Sequence, residues 1–416
     1  MKKPEGSWLL PTGVFEMPPA RAAFIRRVEG QIMDAFRLWG YREVRTPAME
    51  YLETMAQGLE AAELDMAFKL VDRATGRVMV LRSDMTPQVA RMAALALQDV
   101  PYPLRLCYVS DVYRYPRDPS HPRRELIQAG AELLGPGDPQ ADAEVIALAV
   151  ESLKRMGFSG IRISLGQVSY ARGLLKECGL SRETEDLLIG AADRKDVGEV
   201  GRILDRTNVQ PSLRQSVLSL AELRGGLEVI RKAGKGAPNG ECSDALSNLM
   251  EVLDLAVSHG VDAHLIEVDL GELSSFRYHT GIVFSGFVSG AGRAILKGGR
   301  YDDLVGKFGR PAPATGFAID ILELVEIVSR TEVRHGGVDY LFVNRSGDQA
   351  RGLSAAMELR RKGRGVFCLI QDLGDEDLPA FAGAHGIKTI IVLEDGGLRR
   401  WDSKAGRSTP CDIDAL

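Results

Sequence analysis

The chain has 416 residues, of which 45% are hydrophobic and 26% are charged, and its formal net charge at pH 7 is -5. This length predicts two or three domains, because single hydrophobic cores rarely grow beyond about 250–300 residues. The negative balance argues against a dominant nucleic-acid surface, since phosphate binding requires clustered Lys and Arg.

Cysteine spacing and hydropathy exclude further classes of protein. The five cysteines are scattered without metal-ligand spacing, which predicts free thiols in a reducing compartment and no metal site. No apolar run approaches the roughly 20 residues that span a bilayer. The N-terminal sequence also lacks the apolar core of a signal peptide. We therefore expect a cytoplasmic protein with no membrane association.

The first part of the chain alternates between helical and strand patterns. Residues 20–39 place apolar side chains at helical spacing, with charged residues between them, which predicts an amphipathic helix. Residues 41–47 alternate like a strand that Pro47 closes. Further elements are expected in an α+β stretch to about residue 165: strands near 78–82 and 104–114, and helices at 86–98 and 138–156.

The second part begins with a mostly helical stretch over about 170–262. Strands are predicted at 264–269, 280–288 and 293–297, followed by a helix from Asp320 to Ser329. A glycine-containing linker at 334–337 then precedes a last module. In that module the order β-α-β-α-β predicts a small sheet with parallel pairing; the strands are expected at 340–343, 365–370 and 388–393, and the helices at 348–362 and 375–385.

Four sequence blocks carry candidate ligand-binding groups. In the first block, residues 80–88, Asp84 can neutralise an ammonium group and Thr86 can accept a hydrogen bond from it. The same residues are open to another interpretation, in which Thr86 and Pro87 only begin a helix.

The second block, residues 111–135, has the pattern of two strands joined by a loop. Gln128 and Glu132 are an even number of positions apart, so they face the same side of a strand. Polar groups on an inward face require a partner, which is either a polar ligand or a self-satisfied polar network.

The third and fourth blocks, residues 276–284 and 296–305, combine aromatic residues with a glycine pair. Tyr278, His279 and Tyr301 predict an aromatic lining that suits an imidazole ring. Gly298 and Gly299 allow a close approach to the backbone. Each aromatic residue taken alone is as well explained by core packing, so the prediction depends on the four blocks occurring together.

The joint order and spacing of these blocks resembles the histidyl-tRNA synthetases, a class II aminoacyl-tRNA synthetase family, over essentially the whole chain. The second block is similar to their motif 2, and residues 40–51 are similar to their motif 1. The resemblance implies an α+β fold: residues 1–330 form a class II synthetase-like domain with an antiparallel sheet, helices and a helical insertion at about 170–262. Residues 337–416 then form a small α/β domain that resembles the anticodon-binding domain.

The chain departs from the synthetase pattern where that family binds ATP and tRNA. Glu323 stands at the motif 3 position of the arginine that contacts the γ-phosphate, and Asp320 stands at a glycine position. Ser274 aligns with a catalytic arginine, and Pro116 replaces the motif 2 glutamate that contacts adenine. The expected anticodon-binding surface is acidic at Asp372, Asp375, Glu376 and Asp377. We expect neither adenylation nor tRNA binding, since phosphates require cationic partners.

A retained amino-acid pocket with an altered ATP side resembles the synthetase paralogues that serve as regulatory subunits of ATP phosphoribosyltransferase. This resemblance implies no catalytic residues, cofactor or metal, with L-histidine as an effector. The implied partners are the short-form catalytic subunit and a second copy of this chain, as a dimer within a hetero-octamer-like assembly. The implied histidine-binding residues are Asp84, Thr86, Arg114, Gln128, Glu132, Tyr278, His279 and Tyr301, with possible anion binding at Arg124 and Arg300.

Two alternatives remain open from the sequence. One is an active histidyl-tRNA synthetase in which other cations replace the missing arginines. The other is a stand-alone histidine-binding module or a different amino-acid ligase. A short phosphoribosyltransferase encoded in the same genome would favour the regulatory interpretation over a stand-alone module.

Overall fold

A computed structural model describes residues 10–59, 61–116, 122–273, 276–329, 338–402 and 407–415. The chain divides into two compact units, one over Met1–Glu16 and Ile25–Thr331 and the other over Met17–Phe24 and Glu332–Leu416. The predicted linker at 334–337 lies outside the described residues.

The first unit contains a mixed set of strands and helices. Its strands are β1 (Arg42–Glu43), β2 (Met49–Tyr51), β3 (Lys69–Val71), β4 (Val78–Leu81), β5 (Leu104–Tyr113), β6 (Glu125–Leu134), β7 (Arg162–Gln167), β8 (Arg224–Gly225), β9 (Ile266–Asp269), β10 (Ile282–Phe287), β11 (Leu296–Arg300) and β12 (Ala314–Asp320). Its α-helices are α1 (Pro19–Leu38), whose first residues fall in the second unit, α2 (Leu52–Met55), α3 (Ala61–Asp65), α4 (Thr86–Leu95), α5 (Pro139–Arg155), α6 (Val168–Cys178), α7 (Arg182–Asp193), α8 (Val197–Leu204), α9 (Pro211–Leu220), α10 (Glu228–Lys235), α11 (Gly240–Ser258) and α12 (Ile321–Ser329).

Among the described residues, nine strands form the main sheet in the order β1-β5-β6-β12-β11-β10-β7-β9-β8. The central strands from β5 to β7 pair antiparallel throughout. Strand β1 pairs with β5 in parallel and β9 pairs with β7 in parallel, whereas β8 pairs with β9 antiparallel. A smaller sheet has the order β2-β4-β3. The predicted antiparallel sheet with helices is confirmed.

Helices cover the sheet because their apolar stripes require burial. In α1, Val28, Ile32 and Phe36 recur every four residues and are all buried. The Phe36 ring meets Phe317 of β12 edge-on at 5.7 Å. On α5, eleven side chains are buried, so this helix has little free surface and packs deep in the unit. Helices α6 to α11 fill the stretch predicted to be helical, interrupted by the two-residue strand β8.

The second unit is a small α/β fold. It contains β13 (Tyr340–Asn344), α13 (Gln349–Arg361), β14 (Val366–Cys368), α14 (Leu378–Ala384), β15 (Thr389–Glu394), β16 (Gly397–Asp402) and β17 (Arg407–Pro410), with strand order β14-β13-β15-β16-β17. Both predicted parallel pairings are present, between β13 and its neighbours β14 and β15. The antiparallel strands β16 and β17 were not predicted.

Candidate functional site

The middle of the main sheet has a floor of glycine residues. In one cross-strand row, Glu132 on β6 lies opposite Gly316 on β12, which lies opposite Gly299 on β11. A Cβ atom at Gly316 would lie 1.7 Å from Glu132 Oε2, and one at Gly299 would lie 2.6 Å from His279 Cδ2. Because any side chain would collide there, the glycines allow Glu132 and His279 to lie over the sheet.

Glu132 is the centre of a polar cluster. Its Oε1 accepts hydrogen bonds from Thr86 Oγ1 at 2.8 Å and from the Tyr108 hydroxyl at 3.2 Å, and its Oε2 accepts one from the Tyr301 hydroxyl. The side chain is buried. These groups, together with Asp84, Gln128, Tyr278 and His279, are called the Glu132 pocket below. The structure therefore brings together seven of the eight residues predicted to bind histidine, and Arg114 is the eighth.

Burial changes the acid–base state of this carboxyl group. Loss of solvation, helped by the Asp84 charge, raises the pKa of Glu132 from its ordinary value of 4.5 to about 8, while hydrogen bonds from Tyr301, Thr86 and Tyr108 oppose the rise. Burial therefore favours the protonated form of this group at neutral pH. A protonated Glu132 and a neutral imidazole together hold the same number of protons as an ionised Glu132 and an imidazolium. The pocket can therefore bind an imidazole ring without taking up a proton from solution.

A second carboxylate lies at the beginning of α4. Asp84 Oδ1 accepts the backbone N–H of Thr86 at 2.8 Å, and its Oδ2 accepts the Gln128 amide at 3.2 Å. The amide oxygen of Gln128 is buried and has no hydrogen-bond partner among the described residues. An acceptor left in this state calls for a donor, and an ammonium group beside Asp84 would supply one.

Aromatic rings form the wall of the pocket. The Tyr278 and Tyr301 rings stack at 5.5 Å with an angle of 24° between their planes, and His279 meets Tyr278 edge-on at 5.0 Å. Desolvation and the Glu132 charge raise the pKa of the Tyr301 and Tyr278 hydroxyls well above the usual value. Both hydroxyls therefore stay protonated and can donate or accept a hydrogen bond, which matches the two ring nitrogens of an imidazole.

Tyr108 is a pocket residue that was not predicted from the sequence. It lies on β5 opposite Gly130, and a Cβ atom at that glycine would lie 2.3 Å from the Tyr108 hydroxyl. The ring is fully buried, and burial raises the pKa of its hydroxyl well above the usual value. The sequence shows only a tyrosine within an apolar strand and a glycine two positions before Glu132. That Tyr108 lies opposite this glycine depends on the register between β5 and β6, which only the structure shows.

Arg114, predicted to bind histidine, and Arg124, predicted to bind an anion, occupy different surroundings. Arg114 follows β5, forms a bridge with Ala67, and contacts no carboxylate within the part of the chain that the structure describes. The Arg124 guanidinium lies 5.1 Å from the centre of the Tyr115 ring. Both cations therefore remain available to an anion.

Arg300 is engaged by the fold itself. Its Nε donates to Asp142 at 2.9 Å, its Nη1 donates to Asp302 at 3.2 Å, and its remaining bonds go to backbone carbonyls. The side chain is only 8% exposed. Because a buried cation with this many partners is a structural ion pair, we do not retain the anion-binding prediction for Arg300.

The region expected to hold ATP phosphates contains a closed ion cluster. Glu323 Oε1 accepts from Arg123 at 2.8 Å and is also paired with Arg293. Asp320 Oδ1 accepts the backbone N–H groups of Leu322 at 3.0 Å and Glu323 at 3.2 Å, which caps α12. Arg123, Arg293, Asp320 and Glu323 are called the phosphate-side cluster below. The acidic residue at the position of the synthetase arginine therefore pairs with the nearby cations.

The other departures from the synthetase pattern are only partly visible. Pro116 follows Arg114 and Tyr115 as expected, whereas Ser274 lies outside the described residues. Among the described residues there is no group of three or more acidic, His or Cys side chains placed to hold a metal ion. Over the same part of the chain, no helix has the length and apolar character needed to cross a membrane.

Comparisons with known proteins agree with this arrangement. The family model for histidyl-tRNA synthetase matches residues 13–324. The ATP phosphoribosyltransferase regulatory subunit of Geobacter sulfurreducens is 40% identical over 85% of this chain and 81% of its own length. That of Moorella thermoacetica is 38% identical over 92% of this chain and 98% of its own length.

Solved structures give the same result. A Bacillus halodurans structure described as an ATP phosphoribosyltransferase regulatory subunit/histidyl-tRNA synthetase is 31% identical, with a TM-score of 0.83 over 94% of this chain and 99% of that chain. The Nostoc histidyl-tRNA synthetase has the same TM-score of 0.83 over 99% of this chain and 98% of its own, but 19% identity, and therefore shows the fold alone. The predicted resemblance is confirmed, and this chain belongs to the family of ATP phosphoribosyltransferase regulatory subunits, which has the histidyl-tRNA synthetase fold.

Proposed function

We propose that this chain activates a short-form ATP phosphoribosyltransferase catalytic subunit and binds L-histidine as the feedback inhibitor of the first step of histidine biosynthesis. The observation that carries the proposal is the convergence of Thr86, Tyr108 and Tyr301 on the buried Glu132 carboxyl. A buried carboxyl among hydroxyl groups and stacked rings suits a small heteroaromatic ligand with hydrogen-bonding nitrogens. The names of the relatives, both ATP phosphoribosyltransferase regulatory subunits, supply the biological setting.

Each part of a histidine molecule has a matching group. The imidazole lies against Tyr278, His279 and Tyr301 and shares a proton with Glu132. The ammonium group lies between Asp84 and the unpaired amide oxygen of Gln128. Thr86 contacts both the carboxyl group proposed to bind the imidazole and the one proposed to bind the ammonium group. Its hydroxyl donates a hydrogen bond to Glu132, and its backbone N–H donates one to Asp84.

The ligand carboxylate requires a cation, and Arg114 is the better placed of the two candidates. It is an even number of residues from Tyr108, which puts both side chains on the same face as β5 continues. Arg124 already lies over the Tyr115 ring. We therefore assign the carboxylate contact to Arg114 and leave Arg124 as an outer cation.

The chain acts without catalysis of its own. Adenylation requires cations that stabilise charge on the transferring phosphoryl group. In the phosphate-side cluster, Glu323 pairs with Arg123 and Arg293, and Glu326 is a second carboxylate on Arg123, so both cations already have anionic partners before any nucleotide arrives. Histidine binding then serves regulation, and it inhibits to the extent that histidine favours the inhibited state of the complex over the active one.

The proposed assembly is a class II dimer within a hetero-octamer-like complex in the cytoplasm. Light scattering of the isolated chain should give twice its 45.3 kDa mass. A stable monomer would contradict the dimer without affecting the pocket assignment.

The function is tested by the turnover of the short catalytic subunit, measured with and without this chain across a histidine titration. We expect this chain to raise turnover and histidine to reverse the gain. Histidine-dependent pyrophosphate exchange is measured on the same sample. Exchange without activation would support the alternative, an active histidyl-tRNA synthetase.

A further inference from the structure

The segment that carries the aromatic wall is hydrogen-bonded to side chains of helix α6. Residues 276–281, here called the aromatic segment, lie between β9 and β10 and include Tyr278 and His279. The Arg172 guanidinium donates to the carbonyl oxygens of Phe276 at 3.3 Å and His279 at 2.9 Å. The Ser169 hydroxyl donates to the carbonyl oxygen of Thr280 at 2.9 Å.

Helix α7 also contacts this segment and a residue just before it. Its Asp186 accepts from Arg277 Nε at 2.8 Å, and its last residue, Asp193, accepts the backbone N–H of Leu273 at 3.0 Å. Helices α6 and α7 are the first two helices of the insertion. The aromatic wall of the Glu132 pocket is therefore attached to the insertion through polar side chains at several points.

A cleft partly open to solvent, with a volume of about 410 Å³, lies beside this attachment and is lined by Arg172, Leu175, Leu180 and Phe276, among others. The Arg172 guanidinium lies 5.4 Å from the centre of the Phe276 ring. The Phe276 side chain is buried, and the directional bonds of Arg172 to the carbonyl oxygens of Phe276 and His279 hold the backbone of the segment in place.

We propose that Arg172 is a positioning residue that couples the aromatic wall of the Glu132 pocket to α6 and α7, so that these helices report whether the pocket is filled. The inference rests on the proposed function, because it takes histidine as the ligand. A ligand that orders Tyr278 and His279 also orders the two carbonyls that Arg172 binds. By reciprocity, a perturbation of α6 or α7 changes histidine affinity by the same coupling free energy.

The test is hydrogen exchange of the full-length protein, measured by mass spectrometry with and without saturating histidine. In the wild-type protein we expect slower exchange in α6 and α7 as well as in the pocket strands. Arg172→Ala should lose the protection of α6 and α7 and weaken histidine binding about tenfold. Arg172→Lys, which keeps the charge but has no planar fork to bridge two carbonyls, is a second variant in case the alanine form does not fold.

Arg231→Ala is the matched control. Arg231 is an exposed arginine on α10 of the same insertion, so this variant should behave like the wild-type protein. In the complex, Arg172→Lys should lower sensitivity to histidine while leaving activation of the catalytic subunit unchanged, which general destabilisation would not do.

The outcomes separate this inference from the function it rests on. Histidine binding with protection confined to the pocket strands would overturn the coupling alone. Full protection of α6 and α7 in both Arg172 variants would do the same. No histidine binding by the wild-type protein would overturn the proposed function and the coupling together.

Discussion

The Glu132 pocket and the phosphate-side cluster lie on the same unit and each contains one glutamate and one aspartate, but the partners of these acidic groups differ. In the pocket, Glu132 is surrounded by hydroxyl groups, and within the described parts of the chain it has no paired cation and the Gln128 amide oxygen has no hydrogen-bond partner. In the cluster, Glu323 is paired with two arginines. A site with unsatisfied polar groups can still form hydrogen bonds to a polar ligand. A site whose polar groups are paired with one another has no such groups left for a ligand.

The largest expected effect comes from filling the pocket floor. Gly316→Ala puts a methyl group where the Glu132 carboxylate lies, since the Cβ atom would be 1.7 Å from Oε2. We expect histidine affinity to fall about 100-fold by isothermal titration, because overpacking of this kind costs about 1–3 kcal/mol and displaces the central ligand group. Gly292→Ala is the control, as nothing lies within 4 Å of its Cβ position. Equal affinities of the two variants would place the ligand elsewhere.

The next effect comes from the central carboxyl group. Glu132→Gln keeps the shape but removes the acid, so we expect histidine binding to weaken by about 1–3 kcal/mol, the usual cost of a mismatched buried polar contact. Calorimetry at pH 7 measures it. An unchanged dissociation constant would mean that the pocket is misassigned.

The same variant should change the pH dependence of folding. The pKa of Glu132 is about 8 in the folded protein and has its ordinary value of 4.5 in the unfolded chain. Between these two pH values the folded protein holds a proton on Glu132 that the unfolded chain has released. Its stabilising contribution is therefore complete below pH 4.5 and is lost as the pH rises to 8. Denaturant unfolding at pH 6 and pH 8.5 should show that Glu132→Gln gains stability relative to the wild-type protein at the higher pH. A difference independent of pH would contradict the raised pKa.

The smallest effect is expected on the phosphate side. Glu323→Gln removes the charge that pairs with Arg123 and Arg293, so binding of inorganic tripolyphosphate should strengthen several-fold at low salt, as expected for partly exposed charges. Glu323→Arg should still show no histidine-dependent pyrophosphate exchange, because Pro116 remains where the adenine-binding glutamate is expected. Exchange by Glu323→Arg would show that a single residue silences the site.

The sequence predicted the elements and the pocket better than the long-range electrostatics. The amphipathic spacing of residues 20–39 was enough to predict α1, because period and length are local properties. The strand β16 was missed because polar residues such as Arg399 and Arg400 interrupt its alternation. The partners of Glu323 and Arg300 could not be predicted, since Arg123 is 200 residues from Glu323 and Asp142 is 158 residues from Arg300.

The pocket itself could be predicted because its groups fall in short blocks. Asp84 and Thr86 are two residues apart at the beginning of α4, and Gln128 and Glu132 share one face of β6. Tyr108 escaped notice because its role depends on the register between β5 and β6, which places Gly130 opposite it. Local spacing therefore predicts which groups are present, and pairing between distant strands decides which of them meet.

The contrast between the two regions is tested most directly by titrating one preparation of the isolated protein with L-histidine and, separately, with ATP and Mg²⁺. The account predicts saturable histidine binding that Glu132→Gln weakens, and no ATP binding over the same concentration range. ATP binding with no measurable histidine binding would contradict both assignments.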